Sequence, residues 1–396
     1  MSTKQSDSFT QNRFFWTVFG LWPGKIPNKY YKYFSLTYLI ITFVTYNALL
    51  TINLYYTPPR IDLLIREIVF FFNEIAVAFK VSMVIFKRKK IAAIFDMLDC
   101  DEFQGNDDIG REIVRKHNDY YKKYLTSFTL LCNITYFFLV FSPVFTFVIY
   151  ENTLELPVCK YYFLSDETRN DYIYLIFVYQ SFGMYSHMMY NVNIDTFIAG
   201  YIILAIAQIK VLQHDLENLK VDKSDDGSGK LLDLKQQQKL RKIIHHYGFI
   251  LEYCKEFQDV ISGPMFVQYG IGSSIICVSI CRFLLPATLE TYTFTVTYFL
   301  SLHMEILAPA WLGTQLKYES HELMTAAYKS EWLPRSERYK RSLKLFVERV
   351  KNPIIITGLK MFPLSLPTYI SIMKTAYSCF TLIRILQNRQ ELEART

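Results

Sequence analysis

The chain has 396 residues, of which 51% are hydrophobic, 17% aromatic and 20% charged, and its formal net charge is +7. This mixture is typical of a membrane protein with substantial water-facing parts, and it argues against a bare transmembrane bundle. The seven cysteines are scattered without any CxxC spacing, so the sequence indicates neither a zinc site nor a disulfide framework.

Apolar stretches predict seven transmembrane helices. They cover about 34–55, 63–86, 125–150, 171–219, 260–285, 291–312 and 365–386. The fourth stretch is longer than a bilayer is thick, so it should protrude into water. The first 33 residues contain Trp16, Trp22 and a Pro23-Gly24 turn, and we expect them to lie at the membrane surface. They lack the apolar core of a cleavable signal peptide.

These elements divide the chain into seven segments. They are an N-terminal cytoplasmic or interfacial segment (1–33), spans 1 to 4 (34–207), a cytosolic helical extension (208–258), spans 5 and 6 (259–315), cytosolic helices (316–362), the last span (363–387) and a short extracellular tail (388–396). The cytosolic helices need partners, which favours an oligomer with a cytosolic helical platform. A monomer with loose loops is the alternative.

The distribution of positive charge predicts the orientation in the membrane. Segments 1–33, 87–124, 208–258 and 316–352 hold 32 of the 43 Lys and Arg residues, whereas the segments on the opposite side hold 7. The positive-inside rule therefore places the N-terminus in the cytoplasm and the C-terminus outside. Because this charge belongs to loops on one side of a membrane, it gives no reason to expect binding to nucleic acid.

The last apolar stretch, 365–386, carries an unusual polar stripe. Ser371, Thr375, Ser378 and Thr381 follow one another at helical spacing, and Lys374 lies in the middle. A helix with one apolar side and one hydroxyl side suits the wall of a water-filled pore. The same small residues also allow close packing of helices. These residues alone leave both interpretations open.

Other polar residues are expected to be structural. Asp195 lies deep in the fourth span, so we expect it to pair with a cation or a hydroxyl group. His245-His246 lacks a Cys or carboxylate four residues away, and we expect no metal ion. Asn133 begins a glycosylation sequon within the third span and should remain unmodified. Nothing in the sequence indicates a cofactor.

The ending of the chain resembles the insect odorant receptor family. The segment 362–384 (FPLSLPTYISIMKTAYSCFTLIR) is similar to that family's most recognisable stretch, and Asp195 with the Gln208, Leu212 and Leu216 pattern adds weaker support. The resemblance implies an odorant-gated, non-selective cation channel made of four subunits in the plasma membrane of sensory neuron dendrites. Its partners would be a shared co-receptor subunit, a small volatile ligand, membrane lipid and permeant cations. This chain lacks the co-receptor's long insertion after span 4, so it resembles a tuning subunit.

The resemblance also implies a ligand pocket in the outer half of spans 2, 3, 4 and 6, which would be the ligand-binding bundle. Candidate residues there are Phe70, Phe71, Glu74, Phe141, Ser142, Phe145, Phe177, Gln180, Ser181, Met184, Tyr292, Thr295 and Tyr298. Plain packing is the alternative for each aromatic residue. Gln180 and Glu74 are the sharper candidates, because a polar group at this depth needs a partner. The alternative is that Gln180 and Glu74 pair with each other, with Lys80 or with His303.

In the family, the last helix lines the pore, and the pore is narrowest near the outer end of this helix. Carried over to this ending, the gate would be formed by Leu382 and Leu386, with Ser378 and Thr381 exposed to water when the helix rotates. The two leucines are four residues apart, so they share a helix face. Contact with lipid is the alternative for both.

Four other classes fit less well. A transporter should show repeats or paired broken helices, and a membrane enzyme should show a cluster of polar groups at membrane depth. A gustatory receptor would continue Thr368-Tyr369 to a Gln-Phe pair that is missing here. A G-protein-coupled receptor would have the opposite orientation, and the Asn352-Pro353 pair precedes the last span without the expected Tyr. We therefore predict an all-α membrane protein that is not an enzyme.

Overall fold

The structure is a computed structural model that describes residues 4–24, 29–105, 107–150, 153–219, 229–284 and 289–393. These residues form twelve α-helices and one short hairpin. The helices are α1 (Thr10–Val18), α2 (Tyr31–Leu39), α3 (Thr45–Tyr56), α4 (Ile61–Phe86), α5 (Arg88–Leu98), α6 (Asp108–Tyr150), α7 (Asp166–Asp171), α8 (Ile173–Glu217), α9 (Gly229–Cys281), α10 (Leu289–Lys329), α11 (Glu337–Val350) and α12 (Leu366–Glu393). A π-helical turn, Ile40–Val44, joins α2 to α3, so that both form the first span.

Four helices are much longer than a bilayer is thick. At 1.5 Å per residue, the 45 residues of α8 reach roughly 65 Å, and α6, α9 and α10 are of similar or greater length. The predicted length of span 4 beyond the thickness of a bilayer and the continuous helix leading into span 5 are confirmed. The extension of α6 through the polar segment before span 3 was not predicted, because its charged residues break the apolar pattern while still facing water.

Five of the described helical segments are long and apolar enough to cross a membrane. They are Tyr31–Tyr56, Glu67–Phe86, Asp108–Ile149, Ile173–Glu217 and Asp233–Cys281. The other two predicted spans lie in α10 and α12, which are long helices outside these five segments. Both carry hydroxyl, His or charged residues along their length, so hydropathy by itself does not identify them.

The core of the bundle is α8. Its most apolar window is buried along its whole length, and it packs against α1, α4, α6, α9 and α10. A helix that is apolar on all sides must be surrounded by other helices or by lipid. Here protein surrounds it, which explains why Ile202, Leu204 and Ile209 are fully buried.

The N-terminal segment contributes side chains to this core. Phe9 and Trp16 are buried, one on each side of Asn12. The Asn12 amide donates to the Asn193 carbonyl (3.0 Å) and accepts from the Tyr121 hydroxyl (2.7 Å). These bonds satisfy a buried amide that would otherwise cost free energy. The burial of Phe9 and Trp16 was not predicted, since aromatic residues at interfacial spacing also suit a buried helix; the position at the membrane surface stays a prediction.

A hairpin leads into the last helix. Strand β1 (Thr357–Gly358) pairs antiparallel with β2 (Phe362–Pro363), and Leu359 and Lys360 in its turn have positive φ angles. The Gln258 side chain on α9 accepts from the Thr357 amide at 2.7 Å, which fixes the hairpin to the bundle. Nearby, Gly313 of α10 lies so close to Leu364 that an added Cβ would be 2.2 Å from its carbonyl oxygen. A rigid joint therefore sets the position at which α12 begins.

We predict that Gly313→Ala destabilises the folded receptor by about 1–3 kcal/mol, because the new methyl group meets backbone atoms that cannot move independently. The matched control is Gly270→Ala on α9, where an added Cβ has nothing within 4 Å. Removing a helical glycine there should leave stability unchanged or raise it slightly. The measurement is the melting temperature of the purified protein in detergent, and equal values for the two variants would contradict the tight joint.

Candidate functional site

A cavity lies between α4, α6, α8 and α10, and it is called here the bundle cavity. The cavity volume is about 60 Å³. Its wall is mainly apolar, with contributions that include Phe128, Leu139, Met188, Val192 and Phe294. An apolar cavity between helices with a few polar groups is the usual composition of a site for a small organic molecule.

The bundle cavity is formed by the four helices that the sequence predicts for a ligand pocket. Two of the candidate residues, Met184 and Tyr298, line it. Phe70 and Ser142 line a neighbouring space of about 120 Å³ beside the loop that follows α6. Leu139 and Phe294 border both spaces, so they form the partition between them.

The remaining aromatic candidates lie elsewhere. Phe141, Phe145 and Tyr292 are exposed on the outside of the bundle, with 50%, 40% and 38% of their surface accessible. Phe71 and Phe177 are half-buried, and Thr295 is buried; none of these three lines the bundle cavity or its neighbour. The side chain of Ser181 lies outside both spaces, while its carbonyl accepts a hydrogen bond from the Tyr136 hydroxyl at 2.9 Å.

Gln180 holds the loop between α6 and α8. Its side-chain oxygen accepts from the backbone amides of Val158 (3.2 Å) and Cys159 (3.3 Å), and its amide group donates to the Cys159 carbonyl (2.9 Å). The side chain is fully buried. Gln180 therefore holds the loop against the bundle by hydrogen bonds to its backbone, and it does not line the bundle cavity.

Glu74 pairs with a histidine. Its carboxylate is hydrogen-bonded to Nδ1 of His187, and Nε2 of the same ring lies 2.8 Å from the Thr42 carbonyl oxygen. Because a carbonyl oxygen can only accept a hydrogen bond, Nε2 carries a proton. The pair joins the first, second and fourth spans, and Glu74 is not part of the cavity wall.

A buried group of charges closes one end of the bundle cavity. Lys80 lies 2.7 Å from Asp195 and 2.7 Å from Glu305, and its ammonium also donates to the side-chain oxygen of Asn191 at 2.6 Å. Asn191 in turn donates to Glu305 at 3.1 Å. These four residues, here called the ionic cluster, join α4, α8 and α10. The expected pairing of Asp195 with a cation is confirmed.

Several residues of the cavity wall were not predicted from the sequence. They are Asn73, Phe128, Cys132, Thr135, Tyr136, Leu139, Met188, Asn191, Val192, Phe294, Ser301, Leu302 and Glu305. Helical periodicity contained part of the signal, since Phe294, Ser301 and Glu305 share the face of α10 that carries Tyr298. The amphipathic pattern was hidden because the opposite face of this helix also contains aromatic residues.

The last helix has two different sides. Its apolar side packs on the core through Ile372, Met373, Ala376 and Phe380, against α9 and α10. Its hydroxyl side is exposed and has no packing partner among the described residues. This side includes Ser371, Thr375, Ser378, Thr381 and Leu382, with 59% of Leu382 accessible.

The hydroxyl groups on this side are satisfied within the helix. Thr375, Ser378 and Thr381 each donate to the backbone carbonyl four residues earlier, at 2.9–3.0 Å. Such bonds let hydroxyl side chains lie at membrane depth without a partner from another helix. The side chain of Leu386, the second predicted gate residue, lies outside the part of the chain whose side chains are described.

One group of side chains has the composition of a metal site. Asp107, His214 and Asp215 bring their ligand atoms within 4.8 Å of one another. However, Asp107 caps α6 by accepting from the Gly110 amide at 2.6 Å, and this bond lowers the pKa of its carboxyl group. His214 lies 2.9 Å from its other oxygen. These contacts account for Asp107 and His214 without an ion.

Comparison with known proteins decides the family. The family model described as 7tm Odorant receptor matches residues 60–377, which is most of the chain. This chain belongs to the odorant receptor family. The resemblance drawn from the last forty residues is therefore confirmed over a much longer stretch. The protein is an insect-type receptor of the membrane, and its family consists of receptors rather than enzymes.

Individual relatives are distant in sequence and close in fold. Odorant receptor 22b of Drosophila melanogaster is 25% identical over 182 residues, 46% of this chain and 44% of that protein, so the match spans about half of such relatives. Odorant receptor 43b of the same species is 22% identical over 388 residues, 93% of this chain and 89% of that protein. The olfactory receptor OR5 of Machilis hrabei in complex with eugenol superposes with a TM-score of 0.83 at 16% identity, covering 96% of this chain and 98% of that one. The predicted all-helical membrane fold is confirmed, while the orientation of the termini stays a prediction.

We predict that Lys80→Met destabilises the receptor by about 3–5 kcal/mol, because it leaves two buried carboxyl groups without a cation. The control is Lys90→Met, which removes an ion pair with Asp259 of 2.6 Å between side chains that are about half exposed. That change should leave the melting temperature nearly unchanged, because solvent screens an exposed ion pair. Melting temperature in detergent and the fraction of receptor at the cell surface measure both effects. Equal losses for the two variants would mean that the ionic cluster contributes little.

Proposed function

We propose that this receptor is the tuning subunit of an odorant-gated, non-selective cation channel. It assembles with a shared co-receptor into a heterotetramer in the plasma membrane of sensory neuron dendrites. A small volatile molecule binds in the bundle cavity, and its binding opens a central pore that the α12 helices of the four subunits line.

The observation that carries this proposal is the free hydroxyl side of α12. The hydroxyl groups bond within the helix, but a side that also carries a lysine needs water or another subunit there. Lipid is a poor partner for this side, because Lys374 lies in the middle of the predicted span. Four copies arranged around an axis would turn their hydroxyl sides toward one water-filled path, as a pore requires.

The bundle cavity supports the ligand-binding half of the proposal. It is mostly apolar and enclosed between helices, which suits a volatile molecule. A related receptor, OR5 of Machilis hrabei, has been solved with eugenol, a small volatile. Of the residues predicted from the sequence, we retain Met184 and Tyr298 for direct contact with the ligand. Phe70 and Ser142 belong to the neighbouring space through which a ligand could enter.

The same proposal assigns the gate to Leu382 and Leu386. The leucine side chains of several subunits, arranged in a ring around the axis, close a narrow pore by excluding water. Rotation of α12 would replace them with the hydroxyl groups of Thr381 and Ser378. The Lys and Arg distribution supports placing this end of α12 on the extracellular side. The long helices on the opposite side would then form the cytosolic platform that joins the subunits.

Shortening a leucine at the proposed gate should let the closed pore conduct. Leu382→Ala should raise the current without odorant at least about two-fold in cells that express this chain with the co-receptor, because a smaller side chain admits water. Leu345→Ala is the matched control, since Leu345 is also exposed but lies on the cytosolic helix α11. A baseline current and ion selectivity that match the unmodified receptor would remove Leu382 from the gate.

The second prediction concerns the cavity. Met188→Trp fills part of the bundle cavity and should raise the half-maximal odorant concentration at least about ten-fold, whereas Met188→Ala should shift preference toward bulkier odorants. Met361→Trp in the exposed hairpin turn is the control and should respond normally. Currents are recorded across an odorant panel after surface expression has been matched. Unchanged dose–response curves for both cavity variants would place the ligand elsewhere.

A further inference from the structure

The hydroxyl group of Tyr298 has no hydrogen-bond partner among the described residues, although Tyr298 is only 8% exposed. A buried hydroxyl without a partner is costly, and native structures rarely keep one without a reason. Tyr298 lines the bundle cavity. The missing partner can therefore be supplied from inside the cavity, by a molecule bound there.

The ring of Tyr298 is held in place by its neighbours. It stacks on Phe294 with a centroid distance of 5.6 Å and an interplanar angle of 22°, and it lies 6.4 Å from Phe70. Rotation of the ring toward another partner would break these contacts. The hydroxyl thus keeps a fixed position on the wall, as a group that recognises a ligand must.

Five other polar side chains of the wall already have partners. Thr135 and Ser301 donate to the backbone carbonyls of their own helices at 3.0 and 2.9 Å. Tyr136 donates to the Ser181 carbonyl at 2.9 Å. Asn191 and Glu305 are engaged in the ionic cluster. Among the hydroxyl groups of the wall, Tyr298 is consequently the one best placed to donate a hydrogen bond to a ligand.

The ionic cluster sets the charge that the ligand can carry. It contains two carboxyl groups against one ammonium, and Glu305 forms part of the cavity wall. An anionic ligand would lose its hydration and meet these carboxyl groups in an apolar space, which is unfavourable. An uncharged molecule avoids this penalty.

We propose that the bundle cavity selects uncharged, mainly apolar molecules that carry an oxygen atom able to accept a hydrogen bond from Tyr298. A carbonyl or ether oxygen meets this requirement, whereas a pure hydrocarbon and a carboxylate do not. The inference rests on the proposed function, since it names the chemical class of the ligand at the proposed site. Tyr298 acts here as a specificity-determining residue, distinct from the apolar residues that supply general affinity.

The test uses matched probes on the full receptor expressed with its co-receptor. The probes are a series of straight-chain methyl ketones, the hydrocarbons in which a methylene group replaces the carbonyl oxygen, and the corresponding carboxylic acids. Each probe is applied to the unmodified receptor, to Tyr298→Phe and to Thr135→Val. Thr135→Val is the matched control, because it removes a hydroxyl of the same cavity wall that already has a partner in its own helix.

In the unmodified receptor, ketones should act at lower concentrations than hydrocarbons, and the acids should not activate. The half-maximal concentration of each hydrocarbon, divided by that of its matching ketone, measures the preference for the ketone. Tyr298→Phe should reduce this ratio by about ten-fold, because it removes one hydrogen bond to the ketone oxygen. Thr135→Val should leave this ratio within about two-fold of the unmodified value.

Two results would overturn the inference while leaving the proposed function intact. One is an equal potency of hydrocarbons and ketones in the unmodified receptor. The other is a ratio that Tyr298→Phe does not change although Met188→Trp still raises the half-maximal odorant concentration. Activation by the acids at ketone concentrations would overturn the requirement for an uncharged ligand. If no volatile of any class opens a current with the co-receptor, the proposed function itself fails.

Discussion

The buried ionic cluster is the constraint on which the bundle depends. Removing charges from water costs several kcal/mol per ion, so Lys80, Asp195 and Glu305 tolerate burial only while they stay together. Their contacts of 2.7 Å fix α4, α8 and α10 relative to one another at membrane depth. The same three helices, with α6, enclose the bundle cavity. The shape of the candidate binding site is therefore tied to an interaction that admits little variation in geometry.

The cavity and the last helix are joined through continuous structure. The Gln268 amide on α9 donates to the Glu305 carbonyl at 3.0 Å, and the Tyr269 hydroxyl donates to the Ile306 carbonyl at 2.9 Å. The Tyr269 ring stacks on Phe362 in the hairpin that precedes α12, with a centroid distance of 5.6 Å. In the proposed mechanism, a ligand that shifts α10 would move this joint and the start of α12 with it. Binding energy that differs between the closed and open states would drive that movement.

The sequence was informative wherever a single helix carries the signal. The continuity of α8 and α9 and the hydroxyl stripe of α12 follow from periodicity within one segment. Contacts between helices could not be predicted in the same way. The sequence shows that Gln180 and Lys80 need partners, but it does not show which ones. Only the packing of the helices brings the loop backbone to Gln180 and two carboxyl groups to Lys80. The burial of Phe9 and Trp16 is hidden for a related reason, because aromatic residues at a membrane surface and in a core show the same spacing.

The most direct test of the account is electron cryo-microscopy of this chain assembled with its co-receptor. The account predicts a complex in which the hydroxyl side of α12, marked by Ser378 and Thr381, faces a central axis, while Ala376 and Phe380 face the subunit's own bundle. The N-terminus should lie on the cytosolic side. A structure in which the hydroxyl side of α12 contacts lipid, far from any axis, would contradict the central claim.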